Sequence, residues 1–267
     1  MSRHPLPQNP KHLRVGARLG KYKLTRRLGQ GAFARVYAAF DTIEQRHVAL
    51  KIPTIPDQER LDDAMREVRV MGRLDHPNIL GLRGADIMEG HLVLSFPLGS
   101  GTLEDRLMRR IGRRKTLDFT RQLLEGLAHA HGAKVVHRDL KPDNVIVVDD
   151  RLCISDFGAA RNSCRTRYGT SVGTVGYMAP EQGLGRSSPR ADVFSMGLIL
   201  YRLTTRQLLE WPFEWPGPGA ARLKRWPRAW STFLQGALQL HERKRYADGE
   251  KMLAAFSKIE RRLEDAC

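Results

Sequence analysis

The run His137-Arg138-Asp139-Leu140-Lys141-Pro142-Asp143-Asn144, followed by Asp156-Phe157-Gly158, constrains this chain more than any other stretch. Asn144 stands five residues after Asp139, and Asp156 twelve after Asn144. Between them, Val145-Ile146-Val147-Val148 and Leu152-Cys153-Ile154-Ser155 read as short apolar strands around an Asp149-Asp150 turn. Such a pair would hold Asn144 and Asp156 at two edges of one platform. A carboxylate able to accept a hydroxyl proton, an ammonium two residues on and two hard oxygen donors would then share one neighbourhood. Phosphoryl transfer requires such groups, because it depends on positioning and charge neutralisation more than on covalent help.

Other segments add to this one in order. Leu28-Gly29-Gln30-Gly31-Ala32-Phe33-Ala34-Arg35-Val36-Tyr37 reads as a glycine-containing turn between two strands, where a missing Cβ lets backbone approach a phosphate. Val48-Ala49-Leu50-Lys51 alternates as a strand and ends on a cation. Leu61, Met65, Val68, Met71 and Leu74 recur at three- and four-residue spacing, marking an amphipathic helix with Glu67 near the edge of its apolar face. His76-Pro77-Asn78-Ile79 follows it. Gly173-Thr174-Val175-Gly176-Tyr177-Met178-Ala179-Pro180-Glu181 closes the segment that begins at Asp156, and Asp192 opens an almost wholly apolar helix running to Tyr201. Each alone is weak, since a lone strand Lys or helix Glu is usually solvated. Their joint order and spacing, from about Tyr22 to about Leu253, resembles the catalytic domain of eukaryotic-like (Hanks-type) serine/threonine protein kinases.

The resemblance implies an α+β fold of two lobes, a small β-rich N-lobe with one key helix and a larger, mostly helical C-lobe. It places the domain over 21–267, divided into 21–98 and 99–267, and residues 1–20, with three Pro and several basic residues, read as a flexible basic leader. It implies ATP as cofactor with Mg2+, Mn2+ being an alternative, and transfer of the γ-phosphate to Ser or Thr of proteins. Asp139 would be the base, and Lys141, the serine/threonine form of the loop, would neutralise the γ-phosphate. Lys51 paired with Glu67 would hold the nucleotide, Asn144 and Asp156 the metal, and Thr174 would bond towards Asp139 and Lys141. Leu28, Gly29, Gly31, Val36, Ala49, Lys51, Leu98 and Ile146 would contact the nucleotide. Counting back from Leu103 without a gap makes Ser95 the gatekeeper and Leu98 the hinge donor; a shift by one would put Pro97, which has no N–H, at the donor position. Phe157 would pack with His137, Met71 and Leu82, Glu181 would pair with Arg245, and Asp192 would anchor the backbone of the catalytic loop. Arg138 before the base implies control by a negative charge in the following loop, where Thr170 leads and Ser171, Thr166 and Ser163 follow as acceptor sites, including by autophosphorylation. Ala34 departs from the usual third glycine, and Phe96 from the usual hinge Glu.

The chain has 267 residues, enough for one such domain. No run of eighteen apolar residues suits a membrane span, and no signal-peptide core opens the chain. Cys153, Cys164 and Cys267, without a CxxC pair, suit a reducing cytoplasm and argue against structural zinc. The net charge is +16, with 16 basic and 10 acidic residues in 1–98 and 29 and 19 in 99–267. The densest clusters are Arg109, Arg110, Arg113, Arg114 and Lys115, expected in a turn between two helices, and Arg222, Lys224, Arg225 and Arg228, interleaved with Trp226 and Trp230. These patches suit acidic proteins or nucleic acid as well as plain solvation. Arg202 and Thr102 stand where kinases often carry acids, which implies weak preference for basic substrates. A scaffold whose chemistry is vestigial is the other class of reading; it requires binding that Asp139→Asn leaves intact.

Overall fold

The computed structural model describes residues 13–31, 34–55, 57–157 and 175–265. They form two compact units, one of residues 1–75 with 80–100 and one of 76–79 with 101–267, taken over the described residues.

The first unit is an antiparallel sheet with one helix. Its strands are β1 (Arg18–Leu19), β2 (Tyr22–Gln30), β3 (Ala34–Asp41), β4 (Arg46–Pro53), β5 (Gly84–Met88) and β6 (His91–Pro97), in the order β1-β2-β3-β4-β6-β5. Period-two alternation organises β4: Val48, Leu50 and Ile52 point into the core with Leu24, Tyr37 and Val93, while Ala49 and Lys51 take the other face. Helix α1 (Gln58–Met71) starts at Asp57, whose carboxylate accepts from Arg60 N–H at 2.9 Å, and stops at Gly72. It buries Leu61, Ala64 and Met71, so Ala64 fills part of the stripe expected of Met65.

The expected leader over 1–20 requires correction at its C-terminal end. Gly16 N–H donates to Leu24 O at 2.8 Å, Tyr37 OH donates to Leu13 O at 3.0 Å, and Leu19 is fully buried in β1. Leu19 lies in the apolar core, which ties residues 13–19 to the sheet; residues 1–12 lie outside the described residues.

The second unit holds β7 (Gly101–Thr102), β8 (Val145–Val148) and β9 (Arg151–Ile154) in one small sheet, with α2 (Leu103–Leu107), α3 (Arg113–Gly132), α4 (Pro189–Thr205), α5 (Ala220–Leu223), α6 (Arg228–Ala237) and α7 (Gly249–Asp265). Asp149 and Asp150 both take positive φ between β8 and β9, as a tight hairpin turn requires. Residues 76–79 belong here because Ile154 N–H donates to Asn78 O at 2.9 Å and the Asn78 amide donates to Leu152 O at 3.0 Å. Helix α4 is buried from Ala191 to Tyr201, as its near-continuous apolar sequence demands. Gly249 lets α7 approach α3 closely, since a Cβ there would stand 2.7 Å from Ala128 N. Among the described residues no helix is long and apolar enough to cross a membrane.

Candidate active site

The catalytic-loop residues are arranged by one buried carboxylate. Asp192, in the first turn of α4, accepts His137 N–H at 2.7 Å on Oδ2 and Arg138 N–H at 2.8 Å on Oδ1. His131, in the last turn of α3, lies 3.0 Å from Asp192 Oδ2 through Nε2. Its Nδ1 accepts Gly249 N–H at 2.8 Å, so Nε2 carries the proton and donates to Asp192. The carboxylate thus receives three donors, which makes its burial tolerable. The turn that results holds Arg138 at a φ of +70°, a region that a long side chain rarely adopts.

Asp139 follows at once. Its N–H donates to His137 Nδ1 at 3.2 Å, and its carboxylate receives the Asn144 amide at 3.2 Å. The same amide nitrogen donates to Asp139 O at 2.8 Å, which fixes the orientation of Asn144 and turns its Oδ1 away as a hard acceptor. Lys141 Nζ stands 3.4 Å from Asp139 Oδ2. Ser155 ties the platform together, its N–H and hydroxyl donating to Asn144 O at 2.8 and 3.0 Å. His137 reaches Ser155 O at 2.8 Å through Nε2, and its ring packs 4.8 Å from that of Phe157. Asp156 is exposed between them at a φ of +62°. An amide oxygen and a carboxylate suit a cation that prefers hard oxygen and keeps several waters, so the donor set fits Mg2+.

In the sheet unit, Lys51 Nζ lies 2.6 Å from Glu67 Oε1. Lys51 pairs across the ladder with Val36 and with Leu94, and Ala49 with Ala38 and Phe96. Directly opposed residues share a face, so Val36, Ala49, Lys51, Leu94 and Phe96 lie together. This corrects the gatekeeper assignment: Ser95 opposes Leu50 on the core face, and its hydroxyl donates to Gly84 O at 3.3 Å. An ungapped count from Leu103 ignores this two-residue periodicity. Leu98 is half-buried just beyond β6 and Ile146 half-buried in β8. Leu28 is exposed, and a Cβ on Gly29 would meet no atom within 4 Å, which leaves room for a bulky ligand group. Gly31 N–H donates to Ala34 O at 2.9 Å. Ala32, Phe33 and the segment 158–174, with Thr174, Thr170, Ser171, Thr166, Ser163 and Cys164, lie outside the described residues.

Beyond that segment, Glu181 and Arg245 form a buried bidentate pair at 2.6 and 2.9 Å. The Arg245 guanidinium also donates to the carbonyls of Gln239, Arg190 and Leu240 and lies 4.6 Å from the Phe194 ring centroid. Gln182 donates to Arg138 O at 2.8 Å, linking this turn to the catalytic loop. Sequence reasoning missed Gln182 and His131, which have no motif signal of their own. It also missed the partner of Arg202, which binds both oxygens of Glu104 at 2.6 and 2.7 Å and donates to Tyr177 OH at 2.6 Å. Burial pushes the Tyr177 phenol up to about 12 despite that bond. Glu104 holds the Arg202 guanidinium charged, above its ordinary range.

Comparison with known proteins agrees with this geometry. The family model described as protein kinase domain matches residues 22–214. A probable serine/threonine-protein kinase of Clostridium acetobutylicum is 33% identical over 217 residues, 76% of this chain and 32% of its own length. Serine/threonine-protein kinase PknE of Mycobacterium bovis is 34% identical over 203 residues, 72% of this chain and 36% of its own. The chain thus spans about a third of the length of these curated relatives. A crystal structure of the Mycobacterium tuberculosis PknI kinase domain, in a mutant form, superposes with a TM-score of 0.71 over 92% of this chain and 98% of that one, at 23% identity. With a sheet unit carrying a Lys–Glu pair, a helical unit carrying an Asp192-anchored loop and a family match over most of its length, this chain belongs to the protein kinase domain family.

Proposed function

We propose that the chain is a serine/threonine protein kinase domain acting on protein hydroxyls, with an N-lobe that takes in residues 13–20 and runs to 98 and a C-lobe from 99. The observation that carries this reading is the fixed Asp139 carboxylate, held by the Asn144 amide and beside Lys141. Asp139 accepts the proton of the attacking hydroxyl, and the Asn144 bond prevents the carboxylate from turning away. Lys141 neutralises negative charge that gathers near that hydroxyl. Asn144 Oδ1 and Asp156 would hold Mg2+, or Mn2+ as an alternative, and Lys51, positioned by Glu67, would hold nucleotide phosphates with Gly29 and Gly31. Leu28, Val36, Ala49, Leu98 and Ile146 would contact the base. ATP, when bound with its metal, supplies the phosphoryl group.

Activation by a phosphate at Thr170 or Ser171, with Thr174 supporting the loop, belongs to the same reading. Its support is Arg138: the guanidinium Nε is buried and meets no hydrogen-bond partner among the described residues. A phosphate would supply the missing acceptor. Residence in the cytoplasm rests only on three cysteines without a pairing pattern. Labelled Mg-ATP with a generic acceptor protein tests the reading, with phosphosites mapped by mass spectrometry. Label on Ser and Thr supports it, and label confined to a small-molecule acceptor contradicts it.

A further inference from the structure

The two basic clusters of the sequence are one surface in the fold. Arg109 and Arg110 follow α2, whereas Arg113, Arg114 and Lys115 form the first turn of α3. The Arg113 guanidinium donates to Arg225 O and lies 5.0 Å from the centroid of the Trp226 ring. Trp226 stacks on Trp230 at 5.1 Å, and the buried Trp230 anchors the contact through a 3.1 Å bond to Thr204 in α4. Arg109, Arg110 and Arg114 on one side, and Lys224, Arg225 and Arg228 on the other, remain exposed.

No acid interrupts the chain from 106 to 117 or from 215 to 241. The acids flanking the first run are engaged: Asp118 pairs with Lys115 at 2.8 Å, and Asp105 accepts Thr102 N–H at 2.9 Å. Arg113 and Lys115 are spent on contacts within the fold, whereas Arg109, Arg110, Arg114, Lys224, Arg225 and Arg228 stay exposed. The first turn of α3 holds three cations and no acid, the wrong sign for a helix start.

Resting on the kinase reading, we propose that this surface docks an acidic segment of the protein substrate. Planar guanidinium forks match carboxylates in bidentate geometry, and most of these cations are Arg. Nucleic acid fits less well, because Trp226 is engaged by Arg113 and Trp230 and is not offered as a stacking platform. A docked segment raises the effective concentration of the acceptor hydroxyl.

The test uses the full chain, a fluorescent Glu-rich peptide, and a Ser/Thr acceptor peptide made with and without a Glu tract. Charge reversal at Arg109, Arg110, Arg114 and Arg225 leaves Arg113 and the catalytic groups untouched. The Glu-rich peptide should bind in a salt-sensitive way, and the reversed variant should lose about tenfold or more in affinity. KM for the Glu-tailed acceptor should rise by a similar factor, with kcat and the KM of the untailed acceptor unchanged. The Arg→Gln version, which adds no repulsion and less risk to folding, should move the same way by less. Absence of peptide binding at low salt, equal binding by both variants, or tighter binding of duplex DNA or anionic vesicles would overturn the proposal. Peptide bound without transfer to either acceptor would support the docking surface while refuting the kinase reading.

Discussion

Replacing Asp192 with Asn should detach the catalytic loop from the helical unit without changing side-chain size. The carboxylate is 1% exposed and receives three donors, two on Oδ2 and one on Oδ1. An Asn must turn its NH2 towards at least one of them. The least costly placement faces Arg138 N–H, keeps His131 and His137 on the remaining oxygen, and removes the charge that strengthens both bonds. Losing one charge-assisted bond at about 1.5–3 kcal/mol, and leaving a desolvated donor at about 1–3 kcal/mol, gives a loss of about 2.5–6 kcal/mol. All four Trp residues lie between 211 and 230 in the helical unit, so urea unfolding followed by intrinsic fluorescence reads that unit. Phosphate transfer should fall in kcat, because Asp139 directly follows Arg138, whose N–H is released. A stability within about 1 kcal/mol of the parent, at unchanged urea slope, would refute the reasoning.

Glu181→Ala should cost about 3–5 kcal/mol by leaving Arg245 buried and charged, and Arg245→Met added to it should cost less than the two singles together; urea melts of the four-protein cycle check this. At Asp41, burial alone would raise the carboxyl, but Lys21 at 2.7 Å and the backbone N–H groups of Ile43 and Glu44 more than offset it and hold it below its ordinary range. A group depressed on folding stabilises above its unfolded pKa of about 3.9 and loses that contribution as pH falls through the folded value. Asp41→Asn should therefore flatten the acid limb of a stability-against-pH curve below about pH 4, leaving a uniform offset above it. Burial also pushes the Cys153 thiol up, so iodoacetamide at neutral pH should spare Cys153 in the folded protein and modify it in urea; mass spectrometry distinguishes the two.

What could be read from sequence alone follows a physical divide. The catalytic loop was legible because its base, ammonium and oxygen donors stand at fixed offsets set by the reaction, whereas the Lys51–Glu67 and Glu181–Arg245 pairs were implied only by the family resemblance. Helix α4 was legible because burial on all sides leaves no polar face. Strand β5 was not: four of its five residues are exposed, so it carries no alternation, and only pairing with β6 defines it. Arg202 and Glu104 meet across 98 positions with no local pattern to announce it, so the sequence suggests a free charge where the fold places a neutralised one. The gatekeeper assignment failed for a related reason, since counting along a chain is blind to which face of a ladder a residue takes. The union of the two basic clusters is likewise a tertiary event, made by Arg113 reaching Trp226.

Transfer of labelled phosphate from Mg-ATP to protein Ser and Thr, compared between the parent chain and Asp139→Asn, tests the central claim most directly. The account predicts transfer by the parent and a loss of about 10²-fold or more in the variant, with stability retained. Equal transfer by the two proteins would contradict it, because the carboxylate held by Asn144 would then take no part in the chemistry.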